Sequence, residues 1–236
     1  MRAAGRRPGS AGVVTVLLAA VLVTSCSTDD PLKHVKAADP PALPHLSVQQ
    51  ADVSDQYTVT VLPSGTDARG VATLDLCARN YPSEQLRVAR RQVAVVDNEQ
   101  RLLLSTEAVA YRDPAATAQA FDELRKARAD CPQEFQRNGN GDLVLSTFAP
   151  NPDSAWSPPP PGVERLAYDV LMVYEGGEVA RTVAIYLRRG RMLLGVYFFV
   201  QPDAAIPAVQ GQTTLDGIVG VFATRLTELA KSVVNP

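Results

Sequence analysis

The sequence predicts an α+β fold: an antiparallel sheet with helices packed on one face, held by one disulfide. Three observations predict it. Short β-rich runs recur with turn residues between them, two longer stretches keep an apolar stripe at helical spacing, and only two cysteines, Cys77 and Cys131, follow Cys26.

The elements follow in chain order. Residues 56–62 (QYTVTVL) and 73–76 read as short strands, separated by Pro63, Ser64 and Gly65. Residues 92–97 and 102–111 read as a hairpin with 98–101 in its loop. Asp113 is an N-cap and Pro114 a first helical residue. Ala118, Phe121, Leu124 and Ala127 continue one face until Cys131-Pro132 stops the helix. Residues 137–142 are turn formers that lack the spacing and closing Glu of a calcium loop, and a strand follows at 143–148. Trp156 leads into Ser157-Pro158-Pro159-Pro160-Pro161-Gly162, a stiff connector. A meander of 163–174, 179–187 and 192–200 comes next, with Gly176-Gly177 and Arg189-Gly190 as its two-residue turns. A helix over 214–234 closes the chain, its stripe made by Leu215, Ile218, Phe222, Leu226 and Leu229.

Those turns set a register. One meander face carries Leu166, Tyr168, Val170 and Met172 beside Val183, Ile185, Leu187, Leu194, Val196 and Phe198, the core under the helices. The other places Asp169, Ala184 and Gly195 in one row, flanked by Thr182, Tyr186 and Tyr197. Small residues leave room there, tyrosines supply apolar walls with polar tips, and a carboxylate orients a ligand. The expected ligand-binding residues are therefore Asp169, Thr182, Tyr186 and Tyr197, with Trp156 at the edge. A solvated face under a loop is the plain alternative.

The N-terminus carries an address. Arg2, Arg6 and Arg7 precede an apolar run over 13–23. That run reaches about 17 Å as a helix against the ~30 Å of a bilayer core, so it reads as a secretory signal. Val23-Thr24-Ser25-Cys26 resembles the lipobox of bacterial lipoproteins. The resemblance implies a lipidated Cys26 and cleavage just before it, with fatty acyl chains such as palmitate holding the protein to the cell membrane on its extracytoplasmic face. The division is then 1–25 signal peptide, 26–46 lipidated cysteine and Pro-rich spacer, and 47–236 a single domain.

Removing Arg2, Arg6 and Arg7 leaves 20 basic and 25 acidic residues, net −5. No basic excess marks a nucleic-acid partner. In an exported chain the pair Cys77 and Cys131 reads as a structural bridge. A redox pair usually shows C-x-x-C, and zinc needs two more ligands. No G-x-S-x-G, H-E-x-x-H or phosphate-loop motif is present, and both histidines, His34 and His45, fall in the spacer. No catalytic residue, cofactor or metal is expected. Ser83, Glu84, Arg87, Arg90 and Arg91 read as a polar helix face, and Arg188, Arg189 and Arg191 as solubilising charges.

The order of features resembles one family. Cys77 after early strands, the helix from Asp113-Pro114 through Ala118 and Phe121 to Cys131, the meander and the last helix are similar to the PknH-like extracellular sensor domain family and its free-standing lipoprotein relatives. The resemblance spans residues 50–235 and implies ligand sensing in an actinobacterial envelope; that family's second disulfide is absent here. The resulting expectation is a non-catalytic, lipid-anchored binding or sensor domain for a small or lipidic ligand. An assembly partner of another envelope protein, docking through Trp156 and Pro158–Pro161, and a carboxylate-based hydrolase are the rivals.

Overall fold

The computed structural model describes residues 42–138, 141–149 and 156–236. The signal segment, Cys26 and the first part of the spacer lie outside the described residues. Among the described residues no helix is long and apolar enough to cross a membrane.

Among the described residues a single antiparallel sheet of 8 strands organises the fold, in the order β1-β2-β3-β8-β7-β6-β5-β4. The strands are β1 (Thr58–Val61), β2 (Arg87–Val96), β3 (Leu102–Tyr111), β4 (Gln136–Arg137), β5 (Leu143–Phe148), β6 (Glu164–Tyr174), β7 (Val179–Arg189) and β8 (Met192–Val200). The helices are α1 (Ala42–Leu46), α2 (Pro114–Ala129), α3 (Leu215–Glu228) and α4 (Lys231–Val234). The expected strand at 73–76 is instead a loop entering a 3-10 turn at Leu76–Ala78.

The helices do not share one face, which corrects the expected layering. Both sides of the sheet are apolar, so both need cover. On one side Val183, Ile185, Leu187, Leu194, Val196 and Phe198 pack with Ile218, Val219, Phe222 and Leu226 of α3 and with Leu43 and Leu46 of α1. On the other, Val109, Val170, Ala184, Tyr186 and Leu193 pack with Ala116, Ala120, Phe121 and Leu124 of α2. Each fully buried Phe or Leu contributes roughly 1.5–3 kcal/mol of transfer free energy. Asp113 caps α2 by accepting from the Ala116 N–H at 2.8 Å, and Thr214 caps α3 through the Gly217 N–H at 3.1 Å.

The spacer is shorter than expected. Ala42, Leu43 and Leu46 are buried in the core, so the folded body begins by Ala42 rather than residue 47. His45 belongs to it too, 3.0 Å from Glu228 Oε2. The arginine cluster at 87–91 lies on a strand, not a helix, and Arg87 and Arg90 are buried. Arg189 and Arg191 are not solubilising charges either. Arg189 donates to the Leu226 and Leu229 carbonyls at 2.7 and 2.8 Å, and Arg191 Nε donates to the Val233 carbonyl at 2.7 Å. Arg189 satisfies open carbonyls where α3 ends and Arg191 one in α4, as cations near helix C-termini do.

Candidate ligand-binding cavity

The register of the meander decides where each candidate residue goes. Val173 pairs with Val179, and the Tyr174 N–H donates to the Glu178 carbonyl at 2.9 Å. The loop is therefore Glu175-Gly176-Gly177, one residue longer than expected, with Gly177 at φ +84°. A residue in that left-handed region closes three-residue hairpins, and glycine adopts it without a Cβ penalty. The extra residue slips β6 by one and turns all its side chains over. At the second turn Arg189 pairs with Met192, so Gly190-Arg191 is the loop. That is a slip of two, which leaves the faces unchanged.

Asp169 consequently stands opposite Val183, on the α3 side. Its carboxylate accepts from Arg181 Nε at 2.9 Å and Nη2 at 2.6 Å. It is a structural ion pair away from the predicted row. Trp156 packs against the same α3-side core, 5.3 Å under the Arg165 guanidinium. The segment after it is fastened to α3, with the Ser157 hydroxyl donating to Asp216 at 2.8 Å.

Thr182, Tyr186 and Tyr197 remain together on the other side. They line a cavity of about 230 Å³. Thr182, Ala184 and Tyr186 come from β7, Tyr197 and Phe199 from β8, and Val170 and Met172 from β6. Gln92 and Glu107 close one end; Val144, Ser146 and Gln136 of β4 and β5 form the other. The disulfide Cys77–Cys131, with its Cα atoms 5.4 Å apart, forms part of the wall and ties the 72–78 loop to the end of α2.

That loop is pinned by a buried charge network. Glu84 accepts from the Thr73 and Leu74 N–H groups at 2.9 and 3.2 Å, and Arg87 pairs with Glu84 at 2.9 Å. The Thr73 hydroxyl donates to Glu107 Oε1 at 2.7 Å, and Arg90 Nε donates to the same oxygen. Tyr81 fixes the next turn by donating to the Leu76 carbonyl at 2.7 Å. Cys77 and Ala78 sit at φ +61° and +50°. Non-glycine residues in this region each cost on the order of 1–3 kcal/mol, and such strain gathers at ligand sites.

Gly195 shapes the interior. A Cβ there would lie 2.6 Å from Tyr197 Cζ, so its absence lets the Tyr197 ring lie over the strand. Tyr186 meets Tyr197 edge to face at 5.8 Å and 81°. The Tyr197 hydroxyl is buried over Gly195, beside Tyr186.

The carboxyl groups here are perturbed. Burial raises the Glu107 pKa, opposed by Arg90, Thr73 and Arg90's hydrogen bond. Burial also raises Asp75, opposed by its own backbone N–H. Asp75 is accessible to water yet ringed by protein, as a group facing into a pocket is. Desolvation disfavours the charged form in both cases. Asp75 and Glu107 were missed as cavity residues. Asp75 lies in an irregular loop, and Glu107 stands out only as the one charge among the alternating residues of β3.

No family model matches this chain, and no curated protein matches it. Among solved structures, the extracellular domain of PknH from Mycobacterium tuberculosis aligns over 82% of this chain and 100% of that chain, at 12% identity and TM-score 0.41. An uncharacterized protein from Mycobacterium smegmatis, the Rv0999 ortholog, aligns over 79% and 97%, at 12% identity and TM-score 0.37. Likeness at this level leaves function to be argued from the site itself.

Proposed function

We propose that the protein is a lipid-anchored, extracytoplasmic binding or sensor domain that captures a small ligand in the cavity beneath the Cys77–Cys131 bridge. The observation that carries this is the cavity. Its 230 Å³ exceed the ~150 Å³ engineered void that holds benzene. Its lining mixes apolar walls with a few convergent polar groups, the usual composition of a ligand site. Backbone strain at Cys77 and Ala78 falls in the same lining. The address rests on the signal-like segment and the lipobox-like Val23-Thr24-Ser25-Cys26, and a disulfide suits an oxidising compartment.

Binding is favoured over hydrolysis by the state of Glu107. Its carboxylate is fully buried and committed to Arg90 and Thr73, which leaves it no freedom to act on a substrate. The test is native mass spectrometry of the mature chain, exported through a cleavable signal without a cysteine and purified from its own envelope. A reproducible extra mass, released by harsh but not gentle activation, supports the reading. A bare chain at every activation energy contradicts it.

A further inference from the structure

We propose that the cavity takes a compact organic cation, a protonated amine or quaternary ammonium with short apolar substituents, with Asp75 as its counter-ion. This rests on the reading of the cavity as the binding site. Its lining carries three carboxylates, Asp75, Glu107 and Glu134, and among the described residues no Lys, Arg or His. Glu107 is neutralised from behind by Arg90; Asp75 and Glu134 are both exposed, and of the two it is Asp75 whose charge bears on Tyr186 and Tyr197. Asp75 is the carboxylate left over. Among the described residues it has no ion pair, although Arg79, Arg87 and Arg90 all stand on neighbouring segments and pair elsewhere.

Asp75, Tyr186 and Tyr197 line one space. Burial raises the pKa of both tyrosines, and the Asp75 charge adds to it. Aromatic faces attract cations, most strongly where water is excluded. An anion entering here meets three carboxylates and no cation. A neutral ligand covering Asp75 takes its carboxylate out of water without supplying a partner, which is costly.

The experiment is calorimetric titration of the mature chain carrying Cys26→Ser with three probes of matched shape. These are choline, its neutral carbon isostere 3,3-dimethyl-1-butanol, and the anion 3,3-dimethylbutanoate. Choline is expected to bind at least about tenfold more tightly than the neutral probe. Asp75→Asn is expected to erase that ratio, and Asp169→Asn, on the opposite side of the sheet, to preserve it. A neutral or anionic probe that binds as well as choline, or a preference that survives Asp75→Asn, overturns the cation assignment while leaving the cavity as a binding site. If no probe binds up to ~10 mM, the cation assignment falls. If the envelope-purified protein is also bare by mass spectrometry, the binding reading falls with it.

Discussion

Replacing both Cys77 and Cys131 by serine tests how far the cavity wall depends on the bridge. The cysteines are 54 residues apart in sequence. In the chain-entropy model a loop of that length, left open in the unfolded state, costs the fold about 4 kcal/mol. Part of this returns, because the turn at Cys77 and Ala78 holds its left-handed backbone at a cost of order 1–3 kcal/mol per residue and relaxes once released. The net loss should therefore fall between about 2 and 4 kcal/mol. Guanidinium unfolding under non-reducing conditions reads it directly, and the slope m should rise because the unlinked unfolded chain exposes more surface. Wild-type protein unfolded with reductant should reproduce the variant. A loss under about 1 kcal/mol with unchanged m would refute the argument, since the 72–78 loop would then be held by Glu84, Arg87 and Glu107 alone.

Three further predictions follow from the same geometry. Asp75→Asn should raise the melting temperature near neutral pH while weakening ligand capture. Burial holds the Asp75 carboxyl above its ordinary value of about 3.9, so the native state keeps a proton that the unfolded state has released. The resulting stability is full below the unfolded pKa and is lost as pH rises through the folded one. Thermal melts from pH 3 to 8 should show a shallower loss in the variant, although Glu84 and Glu107, also raised by burial, keep part of the slope. Gly195→Ala should push the Tyr197 ring out of place, lowering stability by about 1–3 kcal/mol in urea melts and reducing occupancy of the cavity. Replacing residues 1–26 by a cleavable signal without a cysteine should move the protein from the detergent phase to the aqueous phase in cloud-point partitioning, because the mature chain's net charge of −5 gives no substitute attraction to anionic lipid.

Much of the fold was legible because its signals are local. The Asp113-Pro114 cap, the stripe of Phe121 and Leu124, and the strand alternation in 179–200 all appear as expected. The failures share a cause: each required a contact distant in sequence. Ala42, Leu43 and Leu46 look like part of a proline-rich spacer until they meet α3 and the sheet. Arg87 and Arg90 look like surface charge until Glu84 and Glu107 face them across the loop and the sheet. The most consequential error was a single residue. Reading Gly176-Gly177 as the whole turn puts Asp169 opposite Ala184, whereas including Glu175 in the loop gives that position to Tyr168. Thr182, Tyr186 and Tyr197 keep a common face because the slip in the other turn is even. The carboxylate predicted for that face does exist, but it comes from Asp75, in a loop whose course no alternation describes.

The most direct measurement compares ligand occupancy by native mass spectrometry in three chains purified identically from the envelope. Ala184→Leu fills the cavity from β7, while Asp169→Ala breaks only the ion pair on the opposite side. If the cavity is the site, wild type and Asp169→Ala carry the same extra mass and Ala184→Leu, folded and disulfide-bonded, carries none. The same mass retained in Ala184→Leu, or lost in Asp169→Ala alone, would contradict the account.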